Sequence, residues 1–510
     1  MPPANTIKVN VKWSGKKFDD IELSLDEPGL VFKAQLFALT GVEPDRQKII
    51  VKGGMLKDDT DMTKLGLKAG QNLMVRTSSS TIKQYQMMGT AGELPKAPEK
   101  KILFAEDMTE ATLNKAMNIP VGLVNLGNTC YMNATLQCLR VVPELIQDLQ
   151  KYSGGTDNLD TGSNMTASLR DLYRQLNASG HGVMPGGFLA YLRKAFPQFS
   201  QQGRDGVWMQ QDAEECWSQL ISTLKAKLPP HAEGKQNVVA QFMQGEFTTT
   251  LKCDETADEE AVVTKEPFAK LDCHISSNVN YLHNGILESL DQKIEKNSTT
   301  LGRSATYTKS QRISRLPAYL TVNFVRFFWK AEERVKAKIL RKVKFPFDLD
   351  ASQFCTTELQ AKLTNTKMKL RELDSAETAL KRRQRLDKES GRMETDEVSE
   401  EQKAVQTAQA ALEGSLDPEL VQDVGCNPSG QYELAAVLTH IGRTADSGHY
   451  IGWAKKGDTD EWYKYDDDKV SPVHKDDIMK LDGGGDFHVA YLALYRSRSF
   501  KVQTETSNAE

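Results

Sequence analysis

The 510-residue sequence predicts an α+β protein with two or more domains. Single hydrophobic cores usually stop growing near about 250 to 300 residues, so this chain exceeds one core. Residues 1–78 carry a complete series of strand and helix patterns of their own. Residues 79–102 are rich in Ser, Gly and Pro and lack periodicity, which is typical of a linker. We therefore expect a second domain at 103–497 and a short tail at 498–510.

The composition is that of a globular protein, with 39% hydrophobic and 26% charged residues. The basic residues (65) and acidic residues (69) nearly balance, so neither nucleic acid nor an anionic membrane is expected as a partner. No apolar run reaches about 18 residues, and the first residues lack the apolar segment of a secretory signal. We expect a monomer in the cytoplasm and also in the nucleus.

Seven cysteines are spread along the chain without any C-x-x-C pair. An odd, scattered set in a reducing compartment argues against a disulfide framework, and the spacing argues against a zinc ribbon. Cys253, Cys273 and His274 are the closest candidate ligands, but buried strand cysteines are the favoured interpretation. The sequence therefore predicts no metal and no cofactor.

The first domain begins with "IKVNVKW", whose apolar residues alternate as in a half-buried strand, and "FDDIELSL" follows as a second strand. The period then changes in "LVFKAQLFALTG", where Phe32, Leu36 and Leu39 share one helical face and Gly41 ends the helix. "QKIIVKGG" and "NLMVRTS" supply later strands. This order of elements is that of the β-grasp fold.

One segment of the second domain, residues 356–425, is dense in Lys, Arg, Glu, Gln and Ala and almost empty of aromatic residues. It predicts an exposed helical arm that is partly disordered in its middle. A charged surface insertion is the favoured interpretation, and a partner-binding arm is the alternative.

The segment Asn125–Leu139, "NLGNTCYMNATLQCL", places a cysteine at the beginning of a predicted helix. Apolar residues recur at i, i+4 and i+7, and Asn128 or Thr129 would cap the helix. Cys130 then lies in the first turn, where unpaired N–H groups and the helix dipole favour a thiolate. Cys138, two turns later, lacks this environment and is expected in the core.

His449 lies in a region that predicts three strands between residues 433 and 467. Antiparallel pairing about a turn centred between Gly457 and Asp458 places Asp466 directly opposite His449. The carboxylate could then orient the imidazole, provided that no bulge shifts the register.

Cysteine, histidine and aspartate in these positions form a nucleophile, a base and an orienting group. Cys130 alone would fit a core position equally well, and the pairing of His449 with Asp466 favours the nucleophile. Asn125, five residues before Cys130, could stabilise an oxyanion together with the Cys130 amide.

Four segments in order, "GLVNLGNTCYMNATLQCL", "QQDAEEC", "RLPAYLTVNFVRF" and "SGHYIGW" with "WYKYDDDKV", make residues 103–497 resemble the ubiquitin-specific proteases. The resemblance implies a papain-like catalytic domain of thumb, palm and β-fingers. The fingers would hold ubiquitin and direct its tail to Cys130. Paired C-x-x-C motifs are absent, so the fingers should be free of zinc.

The resemblance also places Gln211 and Asp212 near the ubiquitin tail. An equally weighted interpretation is that Asp212 and Glu215 form a capping box at the start of a helix. Both interpretations can hold at once.

The first domain resembles ubiquitin but ends without the Gly-Gly that conjugation needs, which indicates a docking module. Ile50 and Met74 fall where ubiquitin shows its apolar recognition patch, although half-buried strand packing is the alternative for Ile50. Resemblance to the proteasome-associated members of the family implies docking on the regulatory particle of the 26S proteasome.

The loop "RTADSG", which ends in Ser447 and Gly448, precedes His449 and lacks a large apolar anchor. It is expected to be mobile and to border the substrate tail. In the resembled proteases, surface loops cover the tail channel until the enzyme docks, and Phe327–Leu340 would hold the second loop.

The sequence therefore predicts thiol-dependent hydrolysis of the bond after the C-terminal glycine of ubiquitin, with ubiquitin and ubiquitinated proteins as partners. The alternative is a mainly non-catalytic ubiquitin receptor or regulator on the proteasome. All four catalytic residue types are present, which argues against this alternative.

Overall fold

The computed structural model describes most of the chain in two units, Met1–Lys101 and Ile102–Glu510. The predicted linker and residues 499–510 of the predicted tail lie outside the described residues. The described residues are 5–13, 16–40, 44, 47–51, 54–58, 60–77, 119–156, 159–230, 236–330, 335–390, 399–444, 447–457, 459–484 and 488–498.

The first unit is a five-stranded sheet with one α-helix, in the predicted order. Its elements are β1 (Thr6–Trp13), β2 (Lys16–Ser24), α1 (Gly29–Thr40), β3 (Gln47–Val51), β4 (Gly54–Met55), a 3₁₀ turn (Met62–Leu65) and β5 (Asn72–Thr77). The strand order is β2-β1-β5-β3-β4, and β1 and β5 run parallel. This arrangement confirms the predicted β-grasp fold.

The alternation along β1 decides which side chains fill the core of this unit. Val9 and Val11 are fully buried. On the facing helix, Leu36 is also fully buried and Phe32 is nearly so. Leu39 continues the predicted helical face, but its side chain lies in the last turn of α1 and is 45% exposed. The helix therefore contributes its first two turns to the core.

The described helices of the second unit precede its strands or lie between them. They are α2 (Cys130–Leu139), α3 (Pro143–Lys151), α4 (Thr161–Ala178), α5 (Gly186–Ala195), α6 (Ala213–Lys227), α7 (Leu282–Leu290), α8 (Thr357–Ser390), α9 (Glu400–Glu413), α10 (Pro418–Gln422) and α11 (Lys475–Met479). None of the described helices is both long enough and apolar enough to cross a membrane.

The strands of the second unit form two sheets. They are β6 (Gly245–Cys253), β7 (Val262–Phe268), β8 (Leu271–His274), β9 (Asp291–Asn297), β10 (Ser304–Arg315), β11 (Tyr319–Val325), β12 (Phe327–Lys330), β13 (Val335–Lys338), β14 (Asp348–Asp350), β15 (Gln431–Thr444), β16 (Ser447–Lys455), β17 (Trp462–Asp466), β18 (Lys469–Val473) and β19 (Val489–Ser497). Four strands form a separate sheet, in the order β7-β6-β10-β9.

The larger sheet has the main path β18-β17-β16-β15-β19-β11-β8, and it separates two hydrophobic cores. Successive side chains of a strand point to opposite faces, so Val437 joins one core and its neighbour Leu438 the other. Helix α2 packs on the face that includes Leu438 and Tyr450. Helix α2, which begins at Cys130, is thus fixed against the centre of the sheet.

The predicted arm is helical where the structure describes it. Helices α8 and α9 pack on each other through Leu370, Leu373 and Leu412. The beginning of α8 is less exposed than predicted, since Leu359 and Leu363 belong to the core that contains Val437. The expected disorder in the middle of the arm falls on residues 391–398, which lie outside the described residues.

Candidate active site

Helix α2 begins at Cys130, whose side chain is 2% exposed. Thr129 occupies the N-cap position but makes no side-chain cap, so the predicted capping role is wrong. Asn125 organises the preceding turn instead, since its Oδ1 accepts from the amides of Gly127 (2.9 Å) and Thr129 (3.3 Å). These bonds order the turn that leads into α2 and place Cys130 at its first residue.

Three groups donate to or contact the Cys130 sulfur. Gln210 Nε2 donates over 3.2 Å, and the backbone amide of Tyr450 donates over 3.4 Å. His449 is hydrogen-bonded to the thiol, and this contact is the largest cause of a raised pKa of His449, about 9. The Cys130 sulfur therefore has three polar neighbours, one of which is the His449 ring.

His449 Nε2 lies 2.7 Å from Asp466 Oδ1, so the expected contact is present. The expected register is wrong by two residues: Gly452 pairs with Tyr465, which places Asp466 two positions from direct opposition. A shift of two residues keeps a side chain on the same face, and diagonal neighbours remain within reach. His449 and Asp466 are therefore hydrogen-bonded in spite of the shifted register.

Lys464 holds the other oxygen of the orienting carboxylate, with Nζ 2.9 Å from Asp466 Oδ2. The hydrogen bonds from His449 and Lys464 outweigh the effect of burial and lower the pKa of Asp466. Asp466 is therefore an anion over the working pH range. Because Asp466 is hydrogen-bonded to Nε2 of His449, the other ring nitrogen, Nδ1, is the one available to the Cys130 thiol.

Asp467 is a further residue of the site that sequence reasoning missed. Its Oδ2 accepts from Asn125 Nδ2 (2.9 Å) and its Oδ1 from Asn133 Nδ2 (2.8 Å). Its backbone carbonyl accepts from the Leu123 amide over 2.9 Å. Asp467 thus ties the end of β17 to the turn before Cys130 and leaves one N–H of the Asn125 amide for another acceptor.

The structure places Gln211 away from the thiol, since its Nε2 points to the Met209 carbonyl at 3.4 Å. Gln210, not Gln211, contacts the sulfur. The two glutamines are adjacent in the sequence, so the segment alone does not indicate which of them reaches the thiol.

Asp212 both caps a helix and accepts a hydrogen bond from a tyrosine of β19. Its Oδ1 accepts from the amide of Glu214, two residues on, and from the hydroxyl of Tyr491 at 2.6 Å. Asp212 is therefore the N-cap, as predicted, but the predicted box with Glu215 is not formed, since Glu215 Oε1 accepts from Gln198 Nε2 at 3.2 Å.

The predicted loop before His449 is a strand hairpin where it is described. Strand β15 continues to Thr444, β16 begins at Ser447, and these two residues pair. Ser447 and Gly448 are exposed, while Ala445 and Asp446 lie outside the described residues. The second predicted loop, at Phe327–Leu340, contains the hairpin of β12 and β13, and residues 331–334 lie outside the described residues.

The expected docking patch is exposed on the first unit. Ile50 and Met74 pair directly across β3 and β5 and are 45% and 46% exposed. Met55 pairs with Ile50 on the other side and is 59% exposed. Ile50 is therefore not a packed strand residue, whereas its neighbour Ile49 is fully buried.

Metal-ligating side chains meet at one place within the described residues, namely His449, Asp466 and Asp467. These three side chains already engage the hydrogen bonds described above. Cys253 and Cys273 lie in different sheets, so they do not form the ligand pair considered from the sequence.

The contact between Gln210 and the thiol leads to a test of its role. Gln210→Ala should lower kcat/KM by about tenfold to a hundredfold, because a hydrogen bond to a charged group contributes about 1.5 to 3 kcal/mol. Gln211→Ala, which removes a neighbouring amide of the same size, should change kcat/KM by less than about threefold. The two variants would be compared with a fluorogenic substrate, and a larger loss in Gln211→Ala would contradict the assignment.

Comparison with known proteins gives a consistent result over most of the chain. The sequence model of the family described as "Ubiquitin carboxyl-terminal hydrolase" matches residues 121–495, and that of the ubiquitin family matches residues 7–80. The second match covers the β-grasp unit, and the first contains Cys130, His449 and Asp466.

Several curated relatives are similar over nearly their full length. Ubiquitin carboxyl-terminal hydrolase 6 of Arabidopsis thaliana is 45% identical over 96% of this chain and 98% of its own. Ubiquitin carboxyl-terminal hydrolase 14 of Caenorhabditis elegans is 36% identical over 97% of this chain and 94% of its own. The SAGA DUB module bound to ubiquitin aldehyde matches with a TM-score of 0.49 and 19% identity, over 74% of this chain and 70% of that chain.

Proposed function

Because the chain belongs to the ubiquitin carboxyl-terminal hydrolase family of thiol-dependent deubiquitinases, we propose that it cleaves the bond after the C-terminal glycine of ubiquitin. The observation that carries this proposal is the position of His449 between the Cys130 thiol and the Asp466 carboxylate. Isopeptide and peptide bonds to ubiquitin are both substrates of this chemistry.

In the first step the Cys130 thiolate attacks the carbonyl carbon of the glycine, and the carbonyl oxygen takes the negative charge. The His449 imidazolium then gives its proton to the amine, which leaves as the carbon–nitrogen bond breaks. In the second step His449 takes a proton from water, the hydroxide attacks the thioester, and Cys130 leaves as a thiolate. Asp466 keeps the imidazole in one orientation throughout.

Asn125 and the Cys130 amide are the proposed donors to the oxyanion. The Cys130 amide lies in the first turn of α2 and has no partner within the helix. Asn125 is held by Asp467 through one N–H of its amide group, which leaves the other available. Two such donors fixed before the reaction stabilise the developing charge without reorganisation.

The substrate tail is proposed to approach along the exposed beginning of β16. Ser447 and Gly448 precede the base there, and Gly448 has a φ of 138°, which favours glycine. Asp212 is the N-cap of α6, and Gln211 directly precedes it.

The first unit is proposed to dock the enzyme on the regulatory particle of the 26S proteasome in the cytoplasm and nucleus, where the enzyme would trim or recycle ubiquitin. Exposed Ile50, Met55 and Met74 support a binding role, because clustered exposed apolar side chains mark interaction surfaces. This same patch favours the second candidate function, a ubiquitin receptor or regulator on the proteasome that is mainly non-catalytic.

A ubiquitin probe with a C-terminal electrophile tests the catalytic proposal. Wild-type protein should form a covalent adduct at Cys130, and Cys130→Ala should form none. The experiment would be run with and without proteasomes, since docking could be required for access. Absence of labelling under both conditions would favour the receptor function.

Deletion of residues 1–78 tests the docking proposal separately. Proteasomes should stimulate hydrolysis of a fluorogenic ubiquitin substrate by the full-length protein and stimulate the deletion variant far less. Ile50→Asp with Met74→Asp is the finer variant, because it changes the patch while the buried strand positions stay intact. Equal stimulation of all three proteins would contradict docking through this unit.

A further inference from the structure

Lys338, the last residue of β13, makes three hydrogen bonds to the strand that pairs with the base-carrying strand. Its Nζ donates to His440 Nδ1 (2.8 Å), to the His440 carbonyl (3.0 Å) and to the Gly442 carbonyl (2.8 Å). A lysine ammonium has three N–H donors, so all of them are used. All three acceptors are neutral groups of β15.

His440 acts as a fixed acceptor for this lysine and not as a second base. It is fully buried, and its ring contacts those of Phe327 and Tyr450 at 5.6 and 4.6 Å between centroids. Burial, and then the charge of Lys338, lowers the pKa of His440 to about 3. The neutral ring accepts at Nδ1, so its proton lies on Nε2, which faces the backbone of Gly448.

The two carbonyls held by Lys338 flank Ile441, which pairs with His449 across β15 and β16. Carbonyls two residues apart point to the same edge of a strand, so those of His440 and Gly442 point away from β16. Among the described strands only β16 pairs with β15 at these residues, so Lys338 satisfies the carbonyls on the opposite edge of β15.

The strands approach each other unusually closely immediately after this pair. The register shifts after Ile441, and Gly442 has a φ of 123°. A Cβ on Gly442 would lie 2.9 Å from Gly448 Cα, and one on Gly448 would lie 2.1 Å from the Ile441 carbonyl oxygen. The backbone around His449 therefore depends on the shape of β15 at these residues.

We propose that Lys338 is a positioning residue for the catalytic base. By holding the carbonyls on both sides of Ile441, its ammonium fixes the bulge in β15 and, through the pair of Ile441 with His449, the distance of the imidazole from the thiol. Lys338 does not contact the substrate in this role. The inference rests on the proposed function, because it concerns the geometry of that same reaction.

The test compares Lys338→Met, which keeps the length of the side chain without its donors, with Lys338→Arg. Lys338→Met should lower kcat by about tenfold to a hundredfold, as small misplacements of reacting groups do, while KM changes less than about threefold. Its rate of Cys130 alkylation by iodoacetamide at pH 7 should fall about fivefold or more, because thiolate formation needs a correctly placed His449. Lys338→Arg should recover most of both losses.

Lys455 supplies a matched control on β16. Its side chain is 9% exposed and its Nζ lies 3.0 Å from Glu433 Oε2, yet it is six residues, or about 20 Å, from His449. Lys455→Met removes a buried lysine from the same sheet and should leave kcat and the alkylation rate within about twofold. A loss equal to that of Lys338→Met would show a general effect on packing and overturn the inference.

The remaining outcomes separate the inference from the proposed function. An inactive wild-type protein, with and without proteasomes, contradicts the function itself. An active wild type with unchanged kcat and alkylation in folded Lys338→Met overturns only the role of Lys338. If Lys338→Met does not fold, Lys338→Arg decides alone: alkylation within about threefold of wild type supports positioning by a cation, and a larger loss overturns it.

Discussion

Replacing His449 with alanine is expected to lower kcat by on the order of 10⁴ to 10⁶, which is the effect of removing the base from a nucleophile–base pair. The imidazole both stabilises the Cys130 thiolate and returns a proton to the leaving amine. Turnover of a fluorogenic ubiquitin substrate gives the magnitude, and iodoacetamide alkylation shows whether the thiolate is lost at the same time.

His181 provides the control for this substitution. It is an exposed histidine whose backbone amide and ring contact the hydroxyl of Ser179. His181→Ala should leave turnover unchanged, and both variants should still bind ubiquitin. Residual turnover of more than about one part in a hundred in His449→Ala would mean that another group serves as the base.

Replacing Asp466 with asparagine is expected to lower kcat/KM by about a hundredfold or more, because the orienting carboxylate is lost while its shape remains. The pH dependence should change as well. His449 is a proton donor below its pKa of about 9 and loses this ability as the pH rises through that value. Without the Asp466 charge the pKa falls, so the alkaline limb of kcat/KM should move to lower pH, toward the ordinary value near 6.5.

Asp467→Asn is the matched variant one residue away. Asp467 Oδ2 lies 3.9 Å from His449 Nε2, compared with 2.7 Å for the Asp466 oxygen. Loss of the Asp467 carboxylate should act through Asn125 and lower kcat/KM by about tenfold. The alkaline limb of kcat/KM should move less than in Asp466→Asn. If Asp467→Asn is the more damaging variant, then Asp467 and not Asp466 orients the base.

The sequence was sufficient for much of the fold because the patterns that determine it are local. Alternating Val9 and Val11 identified a half-buried strand, and the change of period at Phe32 identified the helix that packs on it. The same face continues to Leu39, but the core does not, and the Leu39 side chain is exposed. A pattern gives the face on which a residue lies, but the length over which that face is covered depends on the elements packed against it.

The catalytic hairpin illustrates a second limit of the sequence. His449 and Asp466 were expected to meet, and they do, but the register differs from the expected one by two residues. The period of a strand fixes which side chains share a face, whereas the position of the turn fixes which of them stand opposite each other. The face was therefore predictable and the register was not.

What the sequence by itself determined is the set of residues whose roles follow from their immediate neighbours: a cysteine at a helix start, a histidine and an aspartate on adjoining strands, and an exposed patch on a β-grasp unit. Tertiary structure alone decided which distant groups support them. Gln210 reaches a thiol 80 residues away, Asp467 holds an asparagine 342 residues away, and Lys338 binds a strand 102 residues away. No periodicity links such pairs, because packing of the cores, and not local conformation, brings them together.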